Sequence, residues 1–214
     1  MRYDFLTIDT ALNHIIKFIP RNFVEIGSRD GHDTKTIQRM FNIPTQNCYI
    51  FEAHPELFKQ IQNQYPEFNV YNCAISNKTS PLTFNAADLN NEDNPGMSSV
   101  LETVDGNFNS YKVDIDGWRM DDISANLLLD DIDLVKIDVE GFSLQVLKGF
   151  GLLLENTKCI QIELEHKEVW KGQTNYESVK QFLNSKNFVE LIHIRMAHDQ
   201  SDSFWVQRNL IDKQ

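Results

Sequence analysis

The stretch Val24-Glu25-Ile26-Gly27-Ser28-Arg29-Asp30-Gly31 decides how the rest of the chain is read. Phe23-Val24-Glu25-Ile26 is a short β-like run, and Gly27 stops it. A glycine-containing turn at the end of a first strand lets backbone approach a ligand closely, at the sheet edge where open α/β sheets bind their ligands. Glu52 ends the next β-like run, Cys48-Tyr49-Ile50-Phe51, and is placed to accept hydrogen bonds from two ribose hydroxyls.

Outward from this unit, strand-like and helix-like runs alternate, which is the mark of a parallel sheet with crossover helices. Upstream, Ile8, Leu12, Ile15, Ile16 and Ile19 form a helical apolar face that Pro20 ends. Downstream, Asp33-Thr34 is read as the cap of a helix with Ile37, Met40 and Phe41 facing inward, and Pro55 opens another with Leu57, Phe58 and Ile61. Further strands are predicted at Phe68 to Ile75, Leu134 to Ile137, Ile160 to Leu164, Phe188 to Ile194 and Phe204 to Val206. Two more helices carry Leu144, Val146, Leu147 and Phe150, and Tyr176, Val179, Phe182 and Leu183. Residues 85–110, rich in Asn, Asp and Ser around Asn94-Pro95-Gly96, are too long and polar for a tight connection. They are read as an excursion serving as a lid or acceptor loop, with Val113, Ile115, Trp118 and Met120 as an extended piece returning to the core. No repeat or linker divides residues 1–214, so one α/β domain with an N-terminal helix over 1–20 is expected.

Composition narrows the function. A formal net charge of −11 with no compensating Lys/Arg run argues against a nucleic-acid or anionic-membrane partner. Cys48, Cys73 and Cys159 are scattered among apolar neighbours, the pattern of buried free thiols rather than of a disulfide framework or zinc set. The N-terminal MRYDFLTIDT lacks a signal-peptide pattern and no apolar run is long enough to span a bilayer, so a cytoplasmic protein is expected.

The ligand class follows from charge. The full G-x-G-x-x-G spacing is absent, and Glu25, Asp30 and Asp33 crowd the loop with carboxylates. A dinucleotide pyrophosphate would meet that charge unfavourably. S-adenosylmethionine has no phosphate and carries a sulfonium and an α-ammonium, which carboxylates suit. A nucleotide-dependent oxidoreductase or epimerase, or a scaffold that keeps only the pocket, are the alternatives.

The segments VEIGSRDG, FEAHP, NCAIS and DLVKIDVEGFSLQVLKG, in this order between Phe23 and Glu165, resemble the FkbM-type methyltransferases. The resemblance implies a Rossmann-like fold with helices on both faces of a seven-stranded, mostly parallel sheet, strand order 3-2-1-4-5-7-6 with the last strand antiparallel. It also implies O-methylation of a hydroxyl on a carbohydrate or small metabolite, with S-adenosylmethionine as donor. Carried over by position, Glu25, Gly27, Ser28 and Gly31 line the methionine end of the cofactor, and Glu52 holds the ribose, with Ala53 next to the adenine. Asn72, Cys73 and Ala74 approach the adenine edge, and Ser99 belongs to a short Ser motif, Gly96-Met97-Ser98-Ser99, near the cofactor.

For the acceptor side, Asp138 is the first candidate for the base that takes the hydroxyl proton. Glu140 is either a second acid or a group that bonds loop N–H groups. Glu163, Glu165 and His166 offer a further base, an acceptor contact or, with Asp138, ligands for a divalent metal, although their spacing alone assigns no metal site. Trp118, Trp170 and Trp205 are candidates for stacking on an acceptor, Trp170 first among them, while Trp205 within its apolar strand reads as core or rim. His54, His193 and His198 read as structural or surface histidines. KIDVEG is followed here by Phe142-Ser143, where the family often places a Glu two residues on.

Overall fold

The structure, a computed structural model, describes residues 3–91, 96–106, 108–196 and 199–211. Helix α1 (Tyr3–Asp9) runs into a π-type segment, Thr10–Ile15, and leads to strand β1 (Phe23–Ile26). There follow α2 (His32–Phe41), β2 (Cys48–Phe51), α3 (Pro55–Gln64), β3 (Asn69–Tyr71), β4 (Ala74–Ile75), β5 (Ser80–Ala87) and β6 (Ser110–Trp118). The second half is α4 (Met120–Leu127), β7 (Ile132–Ile137), α5 (Ser143–Gly149), β8 (Thr157–Glu165), α6 (Tyr176–Ser185), β9 (Phe188–Arg195) and β10 (Gln200–Gln207).

The main sheet has seven strands in the order β3-β2-β1-β7-β8-β10-β9, which is the expected order. Strands β3, β2, β1, β7 and β8 pair in parallel, and β10 runs antiparallel to both its neighbours. Alternation along each strand feeds two cores. Val24, Val135, Ile160 and Trp205 pack with Ile123 of α4, Leu147 of α5 and Leu183 of α6. Their neighbours Phe23, Leu134, Cys159 and Phe204 pack on the other face with Ile8 of α1, Ile37 of α2 and Ile61 of α3. Each fully buried side chain of this kind contributes about 1.5–3 kcal/mol. At the edge where the parallel strands end and antiparallel β10 begins, this second face turns polar, presenting Glu25, Lys136, Gln161, Glu163 and Asp202. That change in character marks where chemistry can be done.

Four local expectations are corrected. The N-terminal helix, expected over 1–20, ends at Ile15, and its π-type segment closes with Ile16 N–H donating to Ala11 O. The wider turn keeps Ile8, Leu12 and Ile16 inward while Ile15 and Ile19 face solvent. Asp33 and Thr34 lie inside α2, whose N-cap is Gly31. The single strand expected over 68–75 is broken at Asn72, whose side-chain amide donates back to the carbonyls of Glu52 and Ala53. Beyond this tie the chain leaves the main sheet, and β4 joins a second sheet of order β4-β6-β5.

The polar excursion is therefore rooted in a long hairpin, with β5 and β6 in register from Ser80↔Gly117 to Ala87↔Ser110. Its described middle part is laced to β5, where the Asn85 amide donates to the carbonyls of Ser99 and Leu101. Met120 begins helix α4 instead of extending β6. Of the excursion, residues 92–95 and 107 lie outside the described residues.

All three cysteines are buried free thiols. Burial pushes the Cys48 and Cys73 thiols up to about 12, and that of Cys159 higher still. The native protein is expected to resist iodoacetamide at neutral pH, because the thiolate is the nucleophile. The same reagent should modify every cysteine once the chain is denatured, as mass spectrometry will read; rapid native labelling of Cys73 would contradict its placement.

Candidate active site

Strand β1 lies between β2 and β7, so the sheet order reverses at its C-terminal end, where ligand crevices form in such folds. The two strand ends are tied by the Asp138 N–H donating to Ile26 O at 2.9 Å. Gly27 then turns with φ +80°, and a Cβ there would sit 1.8 Å from the Asp138 carbonyl oxygen. Gly31, at φ +71°, caps α2 against the Tyr65 ring, and its N–H donates to Ser28 Oγ at 3.0 Å. Glu25 is fully buried behind the loop, where its Oε2 accepts from the Thr34 N–H and hydroxyl. Its carboxylate thus does the capping that Asp33 and Thr34 were expected to do.

Glu52 meets this loop from β2. Its Oε2 accepts from the N–H groups of Ser28 (3.1 Å) and Arg29 (2.8 Å), and its Oε1 from His54 N–H (2.7 Å). Burial pushes the carboxyl upward, and those N–H groups oppose the shift. His54 shapes the turn into α3: Nδ1 accepts from Glu56 N–H and Nε2 faces Ala87 O at 3.0 Å.

A cavity of about 450 Å³ opens here. Of the residues singled out from the sequence, Gly27, Ser28, Glu52, Ala53, Cys73, Ala74, Asp138, Glu140 and Glu163 line it. Among the described lining residues, Glu25, Gly31, Asn72, Ser99, Glu165 and His166 do not figure. Glu25, Gly31 and Asn72 instead brace the loops that do line it. In the Ser motif it is Ser98 that faces the cavity, whereas buried Ser99 turns away and donates to Glu140 O at 2.7 Å. His166 lies past the end of β8, tilted against Tyr176 and edge-on to His193 with ring centroids 5.3 and 5.8 Å away. Burial there pushes its imidazole down. His193 Nδ1 sits 2.9 Å from Glu190, and His198 lies outside the described residues.

The wall opposite Glu52 is acidic. Lys136, nearly buried, is ion-paired with Asp33 and stands 3.6 Å from Asp138. Glu140 sits at φ 47° in the turn after β7. Its burial, reinforced by Asp138 and Glu165, pushes the carboxyl up to about 8. The reading of Glu140 as an acceptor of loop N–H groups is replaced by a different bond. Its Oε2 accepts from the Trp170 indole at 3.3 Å. Trp170 itself is fully buried and packs on Gly141, so it stands behind Glu140 and does not face an acceptor. The charge of Asp138, with burial, pushes Glu163 upward, and Glu163 Oε1 accepts from the Gln200 amide at 3.0 Å. Trp118 packs half-buried on the core, and Trp205 is fully buried, as its apolar strand suggested.

Sequence reasoning missed Lys136, Gln200, Asp202 and Met196, all of which line the cavity. A signal existed for Lys136, a charged residue within the strand-like run LVKI whose every neighbour is apolar. None existed for Gln200 and Asp202, which reach the site because β10 pairs antiparallel with β8 and sets Asp202 opposite Glu163.

Residues 25–190 match the family described as Methyltransferase FkbM domain. The 2-O-methyltransferase NoeI of Sinorhizobium fredii (strain NBRC 101917 / NGR234) is 22% identical over 177 residues, which cover 78% of this chain and 72% of NoeI. The solved FkbM methyltransferase from Methylobacillus flagellatus KT superposes with a TM-score of 0.57 at 15% identity, over 86% of this chain. This chain spans 43% of the length of that one. Fibrillarin from Aeropyrum pernix, solved with natively bound S-adenosyl-L-methionine, gives a TM-score of 0.54 at 9% identity, over 94% of this chain and 72% of its own. What these structures share with the chain is the fold. Among the described residues no helix is long and apolar enough to cross a membrane.

Proposed function

Because the chain belongs to the FkbM methyltransferase family, we propose that it takes S-adenosylmethionine as donor and methylates a hydroxyl of a carbohydrate or small metabolite. The observation that carries this reading is the polarity of one cavity, with the Glu52 carboxylate on one wall and Asp138, Glu140 and Glu163 on the other. Its size suits a cofactor-sized ligand. On the Glu52 side, Ala53, Cys73 and Ala74 give an apolar surface for an adenine. The acidic side suits a sulfonium and an ammonium and would repel a pyrophosphate.

When bound, the cofactor supplies an activated methyl group and leaves as S-adenosylhomocysteine. The chain's own residues do the rest. Glu52 holds the ribose hydroxyls, and the Gly27–Ser28 backbone passes close to the methionine end. Asp138, lining the cavity at the end of β7, is placed to take the acceptor proton, and Glu140 stands beside it. A base matters because an alcohol is a weak nucleophile, and alignment of acceptor oxygen, methyl and sulfur supplies most of the remaining catalysis. The β5–β6 hairpin with residues 96–106 forms the wall over which an acceptor enters, in one domain with the sheet. His166, away from the cavity, has no part in this chemistry.

Radiolabelled S-adenosylmethionine with a panel of mono- and oligosaccharides and phenolic metabolites tests the proposal. Label recovered in an alkali-stable methyl ether supports it, and label recovered only on amines or carboxylates refutes the O-methyl reading. Asp138→Asn is expected to bind S-adenosylhomocysteine normally and to lose roughly 10²–10⁴-fold in turnover. Full turnover in that variant excludes Asp138 as the base.

A further inference from the structure

The acidic wall has more negative charge than the reaction above needs. Asp138, Glu140 and Glu163 each offer a carboxylate oxygen within 4.8 Å of the others, and all three line the cavity. They come from two adjacent strand ends: Asp138 and Glu140 from the turn after β7, Glu163 from β8. Around them stand Asp33 and Asp202, with Lys136 as the buried ammonium that pairs Asp33 and Asp138.

A second observation points to a ligand there. Glu165 is 3% exposed, and its Oε2 has no hydrogen-bond partner among the described residues. It lies on the same face of β8 as Glu163, two residues on, and its charge acts on both Asp138 and Glu140. A buried carboxylate oxygen left without a donor, within electrostatic reach of further carboxylates, is costly unless a cation compensates it. The Lys136 ammonium is ion-paired with Asp33 and stands 3.6 Å from Asp138, and its charge also reaches Glu163.

We propose that Asp138, Glu140 and Glu163 hold a hard divalent cation of the magnesium or manganese class on the acceptor side of the cavity. All-oxygen donors select such ions over zinc or copper. Three carboxylates leave coordination positions open toward the cavity. Glu165 adds negative charge behind the site. Trp170 holds the Glu140 carboxylate by its indole N–H and orients it toward the ion. A cation there would bind an acceptor hydroxyl and acidify it, and the proton would pass to the carboxylate oxygen of Asp138 not used for the ion. This role builds on the methyl-transfer reading. The site itself does not, since ion binding is measured without cofactor or acceptor, and each idea can fail alone.

Terbium(III) is the probe, because an indole next to Glu140 sensitises its luminescence on excitation of tryptophan. The wild-type protein is expected to give saturable emission with one ion per chain, displaced by Mn²⁺ and Mg²⁺. Glu163→Gln should weaken Tb³⁺ and Mn²⁺ binding at least about tenfold, and Glu140→Gln gives the same test should the first variant not fold. Trp170→Phe should lose most of the emission yet still bind Mn²⁺ by calorimetry, which assigns the ion to the Glu140 side. Absence of saturable Tb³⁺ and Mn²⁺ binding to the wild type overturns the proposal with no variant needed. Unchanged affinity in folded Glu163→Gln or Glu140→Gln places the ion elsewhere and overturns it equally.

Discussion

Replacing Glu52 by Ala is expected to lower affinity for S-adenosylhomocysteine by roughly 10²–10⁴-fold in a calorimetric titration. The proposed ligand contact is a pair of hydrogen bonds from ribose hydroxyls to a charged carboxylate, each contributing about 1.5–3 kcal/mol, and a tenfold change in affinity is about 1.4 kcal/mol. The same carboxylate accepts the N–H groups of Ser28, Arg29 and His54. Its removal therefore also frees the loop after β1 from the turn after β2. Melting temperature should fall as well, which separates this residue from one that touches only ligand. Affinity equal to that of the unaltered protein would remove Glu52 from the site.

Gly27→Ala is expected to cost at least about 3 kcal/mol of stability. A left-handed backbone at a residue with a side chain accounts for about 1–3 kcal/mol of this, and the new methyl accounts for the rest. Its Cβ would lie 1.8 Å from the Asp138 carbonyl oxygen and 3.2 Å from Val139 Cγ1. The first of these is backbone in the turn that carries the acidic wall, so relief requires β1 and β7 to part at the Ile26–Asp138 hydrogen bond. For a chain of this size the loss corresponds to a drop of roughly 6–12 °C in melting temperature. Cofactor affinity should fall in step, because the displaced atoms belong to both walls. A variant that melts within about 2 °C of the parent would show that the two strand ends are not in contact.

What the sequence disclosed, and what it hid, follows from where the information lies. Strand runs such as Phe23-Val24-Glu25-Ile26 and Leu134-Val135-Lys136-Ile137 are dense in apolar residues because both faces of the parallel sheet are covered, so they are read directly. The order of the strands came from resemblance, since periodicity does not carry pairing. Only the end of β6 was legible, as the extended piece around Val113 and Ile115; its pairing with β5 escaped notice because much of the hairpin is exposed, and along β6 only Ile115 and Gly117 are buried. Helix α4 was missed for its brevity, eight residues with Asp121 and Asp122 in its first turn.

In the site, Gly27 and Glu52 announce themselves by position at strand ends. Ser98 and Ser99 differ by one residue, and the pairing of Asn85 with Ser99 decides which of them turns toward the cavity. Trp170 is set by its contacts with the excursion, through the Thr103↔Trp170 bridge and the Val104 N–H to Val169 O bond, and so stands behind Glu140. No local reading of HKEVWKG contains that placement.

The central claim is that the crevice at the ends of β1, β2 and β7 binds S-adenosylmethionine and not a dinucleotide. Calorimetric titration of the purified protein with S-adenosylhomocysteine, with NAD as the parallel control, tests it most directly. The account predicts saturable binding of S-adenosylhomocysteine near one per chain and no heat from NAD. Binding of NAD, or none of S-adenosylhomocysteine, would contradict the reading of the Gly27–Gly31 loop and the methyl-transfer function built on it.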